Sequence, residues 1–178
     1  MPTQLHLNEN TEIKLRVLVA DPTVQMREII RNILLHNIGI DEVADASDGE
    51  QVLEIFQNSP CDLLILDTAM RPLGGVELAR RIRNNEEDIN PFTPIIIISD
   101  HPQKNEVMGA RDAGATEYLA KPLSAKILDL RIRALVQHPR PYIKSKSFFG
   151  PDRRRHIPNG TKNDERRVHT PNIVKEKT

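Results

Sequence analysis

The chain has 178 residues, a length that suits one domain with a tail or at most two small domains. Its formal net charge is zero, but residues 1–138 carry 14 Lys/Arg against 21 Asp/Glu and residues 139–178 carry 11 against 4, so an acidic body continues into a basic tail. A lone Cys61 excludes an internal disulfide, and no apolar stretch reaches the ~18 residues of a membrane span. With no apolar segment of signal-peptide type near the start, these features point to a cytoplasmic protein without a membrane partner.

Residues 1–13 are polar and aperiodic and read as a flexible leader. From Leu15 the pattern alternates. Residues 15–20 form a strand that ends at Asp21, and Pro22 suits the opening of a helix, where its missing N–H has no partner in any case. Met26, Ile29, Ile30, Ile33 and Leu34 recur at helical spacing until Gly39. Residues 41–46 give a weaker second strand. Ser47-Asp48-Gly49-Glu50 resembles the start of a helix whose apolar face is Val52, Leu53, Ile55 and Phe56. Cys61, just before the next strand, is expected to be a buried, inert thiol. The run Leu63-Leu64-Ile65-Leu66-Asp67 is a strand covered on both faces, as in a parallel sheet flanked by helices. Pro72 and Gly74-Gly75 mark a tight loop before a helix over residues 76–83. Residues 84–93 are polar and punctuated by Pro91, with Pro94 just beyond. Residues 95–98 are a second wholly apolar strand ending at Ser99. A helix over 105–113 stops at Gly114, a fifth strand covers 116–120 before Lys121, and a last helix covers 123–136. Five strands alternating with helices imply an α/β fold with a doubly wound, five-stranded parallel sheet.

Charged residues at strand ends matter because the crevice outside the carboxyl ends of such strands is where ligands bind. Asp21, Asp67 and Lys121 would meet there if their strands are neighbours. Each has a plainer reading by itself. Asp21 and Asp67 could be turn residues or helix caps, Ser99 could cap the next helix, and Lys121-Pro122 could be an exposed loop.

Taken together, Val17-Leu18-Val19-Ala20-Asp21, Asp67-Thr68-Ala69-Met70 with Gly75, Ser99 at its strand end and Lys121-Pro122 resemble the receiver domain of two-component response regulators. The resemblance covers about residues 14–137, with every element in order. It implies the flavodoxin-like (βα)5 strand order 2-1-3-4-5 for a receiver domain over residues 14–138. It also implies that Asp67 accepts a phosphoryl group from a histidine kinase or phosphotransfer protein. Asp21, Asp67 and the backbone carbonyl of Ala69 would hold Mg²⁺, Lys121 would neutralise the phosphoryl oxygens, and the Ser99 hydroxyl would bond one of them. Tyr118 matches the aromatic that moves inward with the switch. Such a protein is no enzyme beyond its own phosphorylation and dephosphorylation, and its output is contact with a downstream protein that the sequence does not name.

Two positions depart from the family's pattern. Pro22 stands where a second acid usually follows the first, which removes a metal ligand and weakens Mg²⁺ binding. Asp100 stands where a small residue is usual. It is either a substitute metal ligand, a source of repulsion toward the phosphoryl group, or an N-cap for a helix beginning near Pro102. A phosphorylation-independent interaction module is therefore the alternative function.

Residues 139–178 are rich in Pro, Arg and Lys and poor in aliphatics, and are expected to be mostly disordered. Tyr142, Phe148 and Phe149 sit among basic residues up to Arg153-Arg154-Arg155. Four readings apply: a solvated tail, a docking motif for an acidic surface (a partner's or this chain's own), a nucleic-acid binder, and a membrane-surface contact. No nucleic-acid-binding motif accompanies the tail, so nucleic acid is not the expected partner.

Overall fold

The computed structural model describes residues 15–84, 89–153 and 167–169. The leader 1–13 and residues 154–166 and 170–178 of the tail, Arg154 and Arg155 included, lie outside the described residues.

Five parallel strands, β1 (Arg16–Ala20), β2 (Glu42–Ala46), β3 (Leu63–Asp67), β4 (Ile95–Ser99) and β5 (Glu117–Ala120), form one sheet in the order β2-β1-β3-β4-β5. The helices are α1 (Val24–Asn32), α2 (Gly49–Asn58), α3 (Gly75–Asn84), α4 (Lys104–Asp112) and α5 (Ala125–Gln137). The expected α/β, doubly wound order is therefore the observed one. Alternate strand residues feed two cores. Leu18, Leu64, Leu66, Ile95 and Ile97 pack with Val52, Phe56, Leu78 and Ile82 of α2 and α3. Val17, Val19, Ile65, Ile96 and Ile98 pack with Ile30 of α1 and Leu128 and Ile132 of α5. The all-apolar runs of β3 and β4 follow from this, because both faces of the central strands are buried.

Element ends differ from the sequence reading where side chains intervene. Helix α1 begins one residue after Thr23, so Pro22 precedes the cap and is not part of the first turn. The helix then widens into a π-helical stretch over Ile33–Ile38 before stopping at Gly39. Asp48 accepts a hydrogen bond from Gln51 N and caps α2 as expected. Cys61 is buried, and burial pushes its thiol up to about 11, in keeping with an inert role. Among the described residues no helix is long and apolar enough to cross a membrane.

Residues 139–153 depart from the expected disorder. Short strands β6 (Tyr142–Lys144) and β7 (Phe149–Pro151) pair antiparallel, and β8 (Arg167–His169) pairs with the other edge of β6. Tyr142 is 1% exposed. Its ring lies 5.6 Å from that of Phe92 and 5.7 Å from that of Phe149, and Phe92 and Phe149 are 5.2 Å apart. Beneath this trio the guanidinium of Arg83, at the end of α3, sits 5.1 Å from the centre of the Tyr142 ring. Arg83 donates to the carbonyls of Gly114, Pro91 and Thr93, at 2.9, 2.6 and 2.8 Å. The segment has few aliphatics, but Tyr142 and Phe149 packed on Phe92 and Arg83 of the body suffice to order it. Gly114, at a φ of +87° that side-chain-bearing residues rarely adopt, turns the chain toward β5, and a Cβ there would stand 2.7 Å from the carbonyl oxygen of Phe149.

Truncation after His138 is accordingly expected to lower the melting temperature by several degrees. Tyr142→Ala should cost about 3–5 kcal/mol, read from denaturant unfolding of the full chain.

Candidate functional site

The strand order reverses between β1 and β3, and at that point the two strands end on Asp21 and Asp67. Both carboxylates are fully buried. Gly75 permits the approach of α3 to this end, since a Cβ there would stand 2.6 Å from the Asp67 carbonyl oxygen. From β5, two strands away, Lys121 reaches across so that Nζ lies 2.7 Å from Asp21 Oδ2 and 2.7 Å from Asp67 Oδ2. The backbone secures this position, because Lys121 N donates to Ser99 O at 2.9 Å.

Burial raises the Asp67 carboxyl above its ordinary range, a shift that Lys121 and the Ala69 N–H oppose. For Lys121 burial works against the charge, yet the hydrogen bonds and fields of Asp21 and Asp67 prevail and raise it above the ordinary lysine value. The cluster is therefore a charged triad with one more negative than positive charge, or two more once Asp100 is counted. Asp100 Oδ2 is 3.4 Å from the same ammonium, but its side chain is 59% exposed.

The expected site residues thus come together, with two corrections to their plainer readings. Asp100 caps no helix: α4 starts at Lys104 behind Gln103, because the segment His101-Pro102-Gln103 intervenes. Ser99 Oγ instead serves the loop, accepting from His101 N at 3.1 Å and lying 3.1 Å from Thr68 Oγ1. Tyr118 is half-buried on β5. Its hydroxyl lies 3.4 Å from Glu106 Oε2 of α4 and 3.5 Å from His101 O, and burial raises its pKa above the usual phenol value.

Thr23 and Thr68 escaped the sequence reading. Thr23 gives Asp21 Oδ1 two hydrogen bonds, from N at 2.8 Å and from Oγ1 at 2.7 Å. The Asp-Pro-Thr string carries that signal, since an Asp readily accepts from the backbone two residues on. Thr68 follows Asp67 with no local pattern to mark it. Its partner is 31 residues away.

The donor set can be tested against a divalent metal. Asp21 accepts from Thr23 N and Oγ1 on Oδ1 and from Lys121 Nζ on Oδ2, which leaves Oδ2 room for one further partner. Asp67 Oδ1 accepts from Ala69 N at 2.6 Å, while Oδ2 receives no hydrogen bond of good geometry, only the ion-pair contact with Lys121. That underused buried oxygen, the neighbouring Ala69 carbonyl and the excess negative charge fit Mg²⁺, which takes one or two carboxylates and keeps several waters. Pro22 adds no ligand, and among the described residues no group of three or more acidic, His or Cys side chains is close enough to hold a metal.

A buried carboxylate with a raised pKa lowers stability above its unfolded pKa of about 4. Asp67→Asn should therefore unfold at higher temperature than the parent at pH 7. The gain should shrink as the pH falls through the raised folded pKa and vanish below about 4, where Asp67 is neutral folded and unfolded, and paired thermal melts would read it.

Comparison with known proteins adds three findings. A family model described as the response regulator receiver domain matches residues 17–133. The chain is similar to the response regulator MprA of Mycobacterium leprae (strain TN), 34% identical over 127 residues, which are 71% of this chain and 53% of that protein. MprA of Mycobacterium avium (strain 104) is 33% identical over the same length and coverage. The chain spans about half the length of the curated relatives it matches. Among solved structures it resembles the Francisella response regulator 1452 receiver domain, with TM-score 0.61 and 28% identity over 68% of this chain and 96% of that one. It also resembles chemotaxis protein CheY4 of Vibrio cholerae, with TM-score 0.61 and 26% identity over 67% of this chain and 97% of that one.

Proposed function

The chain belongs to the response regulator receiver domain family, and from that premise we propose that Asp67 accepts a phosphoryl group from a histidine kinase or phosphotransfer protein. Receiver domains are regulatory components of two-component systems, in which phosphorylation and Mg²⁺ binding are general features. The observation that carries the proposal here is the single ammonium of Lys121, 2.7 Å from both Asp21 and Asp67.

A carboxylate is a weak nucleophile and repels an anionic phosphoryl group, so positioning and charge neutralisation must supply most of the rate. The Ala69 N–H fixes the plane of the Asp67 carboxylate through Oδ1. Lys121 already lies against the oxygens that would carry the incoming charge, and it can follow that charge from the carboxylate to the phosphoryl oxygens. Ser99, held by Thr68 and His101, would exchange one of those partners for a phosphoryl oxygen. Tyr118, on the strand that delivers Lys121, would respond to that exchange. Mg²⁺ held by Asp67 and the Ala69 carbonyl, within the field of Asp21, would neutralise charge on the phosphoryl group. The chain would catalyse no reaction beyond its own phosphorylation and dephosphorylation, and its output would be contact with a downstream protein.

A second reading, an interaction module that acts without phosphorylation, draws on Pro22 and on the three carboxylates already competing for Lys121. The nucleic-acid reading loses support, because Tyr142 and Phe149 pack with Phe92 and are not available to stack on bases.

Incubation with acetyl phosphate and Mg²⁺ should add about 80 Da, one phosphoryl group, to the parent and nothing to Asp67→Asn in intact-mass spectra. Equal labelling of both proteins, or of neither at forcing donor concentration, counts against the relay. Pro22→Asp should tighten Mg²⁺ binding in titration by restoring a hard ligand and a charge, whereas Asp100→Ala should weaken it by a few-fold, about 0.5–1 kcal/mol for a solvent-screened charge.

A further inference from the structure

The segment 139–153 does not grip the body at random. Its contacts fall where β4 and β5 begin. Arg83, under the Tyr142 ring, holds the carbonyls of Thr93, two residues before β4, and of Gly114, which leads into β5. Arg153 donates to the carbonyl of Ala115. Arg140 Nη2 is 3.8 Å from the carboxylate of Glu117, the first residue of β5. The opposite ends of these two strands lead to Ser99 and Lys121, and Tyr118 lies on β5 between the two ends. Between the ends, the strands are locked in register from Ile96↔Glu117 to Ser99↔Ala120. A strand of this length spans only ~15 Å and is stiff along its ladder, so a shift at one end is felt at the other.

Two properties of the grip bear on whether it can open. Its contacts are too close to deform: a Cβ on Gly150 would stand 3.0 Å from Gly114 Cα, so the two backbones pack directly. Its closure also leaves polar groups unmet. Arg83 Nη2 and the Tyr142 hydroxyl are buried without a hydrogen-bond partner, and Arg83 is held by backbone carbonyls and a ring. Unmet buried groups bring the closed state nearer in energy to an open one.

We propose that residues 139–153 form a clasp coupled through β4 and β5 to the site, so that phosphoryl transfer at Asp67 loosens it. The proposal rests on Asp67 being the phosphoryl acceptor. Transfer draws Ser99 and Lys121 to new partners, the entering ends of their strands follow, and the close Gly114–Gly150 contact is lost.

Hydrogen exchange on the full chain, with and without acetyl phosphate and Mg²⁺, tests this while intact mass records the adduct in the same sample. Amides of Tyr142–Lys144 and of Phe149 and Gly150 are expected to exchange tenfold or more faster in the labelled protein. Because linkage is reciprocal, Arg153→Ala and the milder Phe149→Leu should raise the adduct level at a fixed donor concentration. An adduct with unchanged exchange in the clasp, together with parental adduct levels in both variants, overturns the coupling. If the parent takes no adduct, the acceptor reading fails, and the coupling is judged on the unlabelled variants. Faster exchange at Leu119–Lys121 then upholds the strand linkage, and unchanged exchange there sinks it.

Discussion

One ammonium between two buried carboxylates governs the working end of this molecule. Asp21 and Asp67 are brought together by the adjacency of β1 and β3, and neither is exposed to water. Two ionised acids in such a place are tolerated only with a cation between them, because removing charges from water costs several kcal/mol each unless they are paired. Lys121 meets that need from β5, and its reach depends on β4 and β5 being in register and on the Lys121 N–Ser99 O bond. The position of Ser99, the loop Thr68–Ala69 and the start of α3 all follow from the same convergence. The arrangement remains one negative charge in excess, which favours a cation beside it.

The departures at Pro22 and Asp100 act on this balance from opposite sides. Pro22 removes a carboxylate next to Asp21, and Thr23 then claims one Asp21 oxygen with two hydrogen bonds. Asp100 returns a negative charge to the neighbourhood, but at 3.4 Å from Lys121 and open to solvent. A screened, exposed charge is a weaker substitute for a buried one. Charge is thus partly restored, from an exposed position.

At the other end of the sheet the basic tail meets the acidic body, though attraction between net charges is not what holds it. The contacts are an aromatic trio, a guanidinium under a ring and the Arg153 hydrogen bond to the Ala115 carbonyl, with the Arg140–Glu117 ion pair at 3.8 Å beside them. The ring packing is insensitive to salt over the range that screens the exposed ion pair. Arg83 belongs to the body and Tyr142 to the tail, so the surface and its cover are built by residues 59 positions apart.

Much of the fold was legible in the chain itself. The apolar runs Leu63–Leu66 and Ile95–Ile98, the glycines after α1 and α4, and the acids closing β1 and β3 are local patterns with direct physical meaning. They determine a parallel sheet with both faces covered and place Asp21, Asp67 and Lys121 at one edge of it. Tertiary structure decided the rest, because the information lies between distant positions. Thr68 matters through Ser99, Asp100 through Lys121, and Arg83 through carbonyls that follow it by 8 to 31 residues. The order of residues 139–153 was hidden for the same reason. Composition measures what a segment brings to a core, and this segment is ordered by a surface that the body had already built for it.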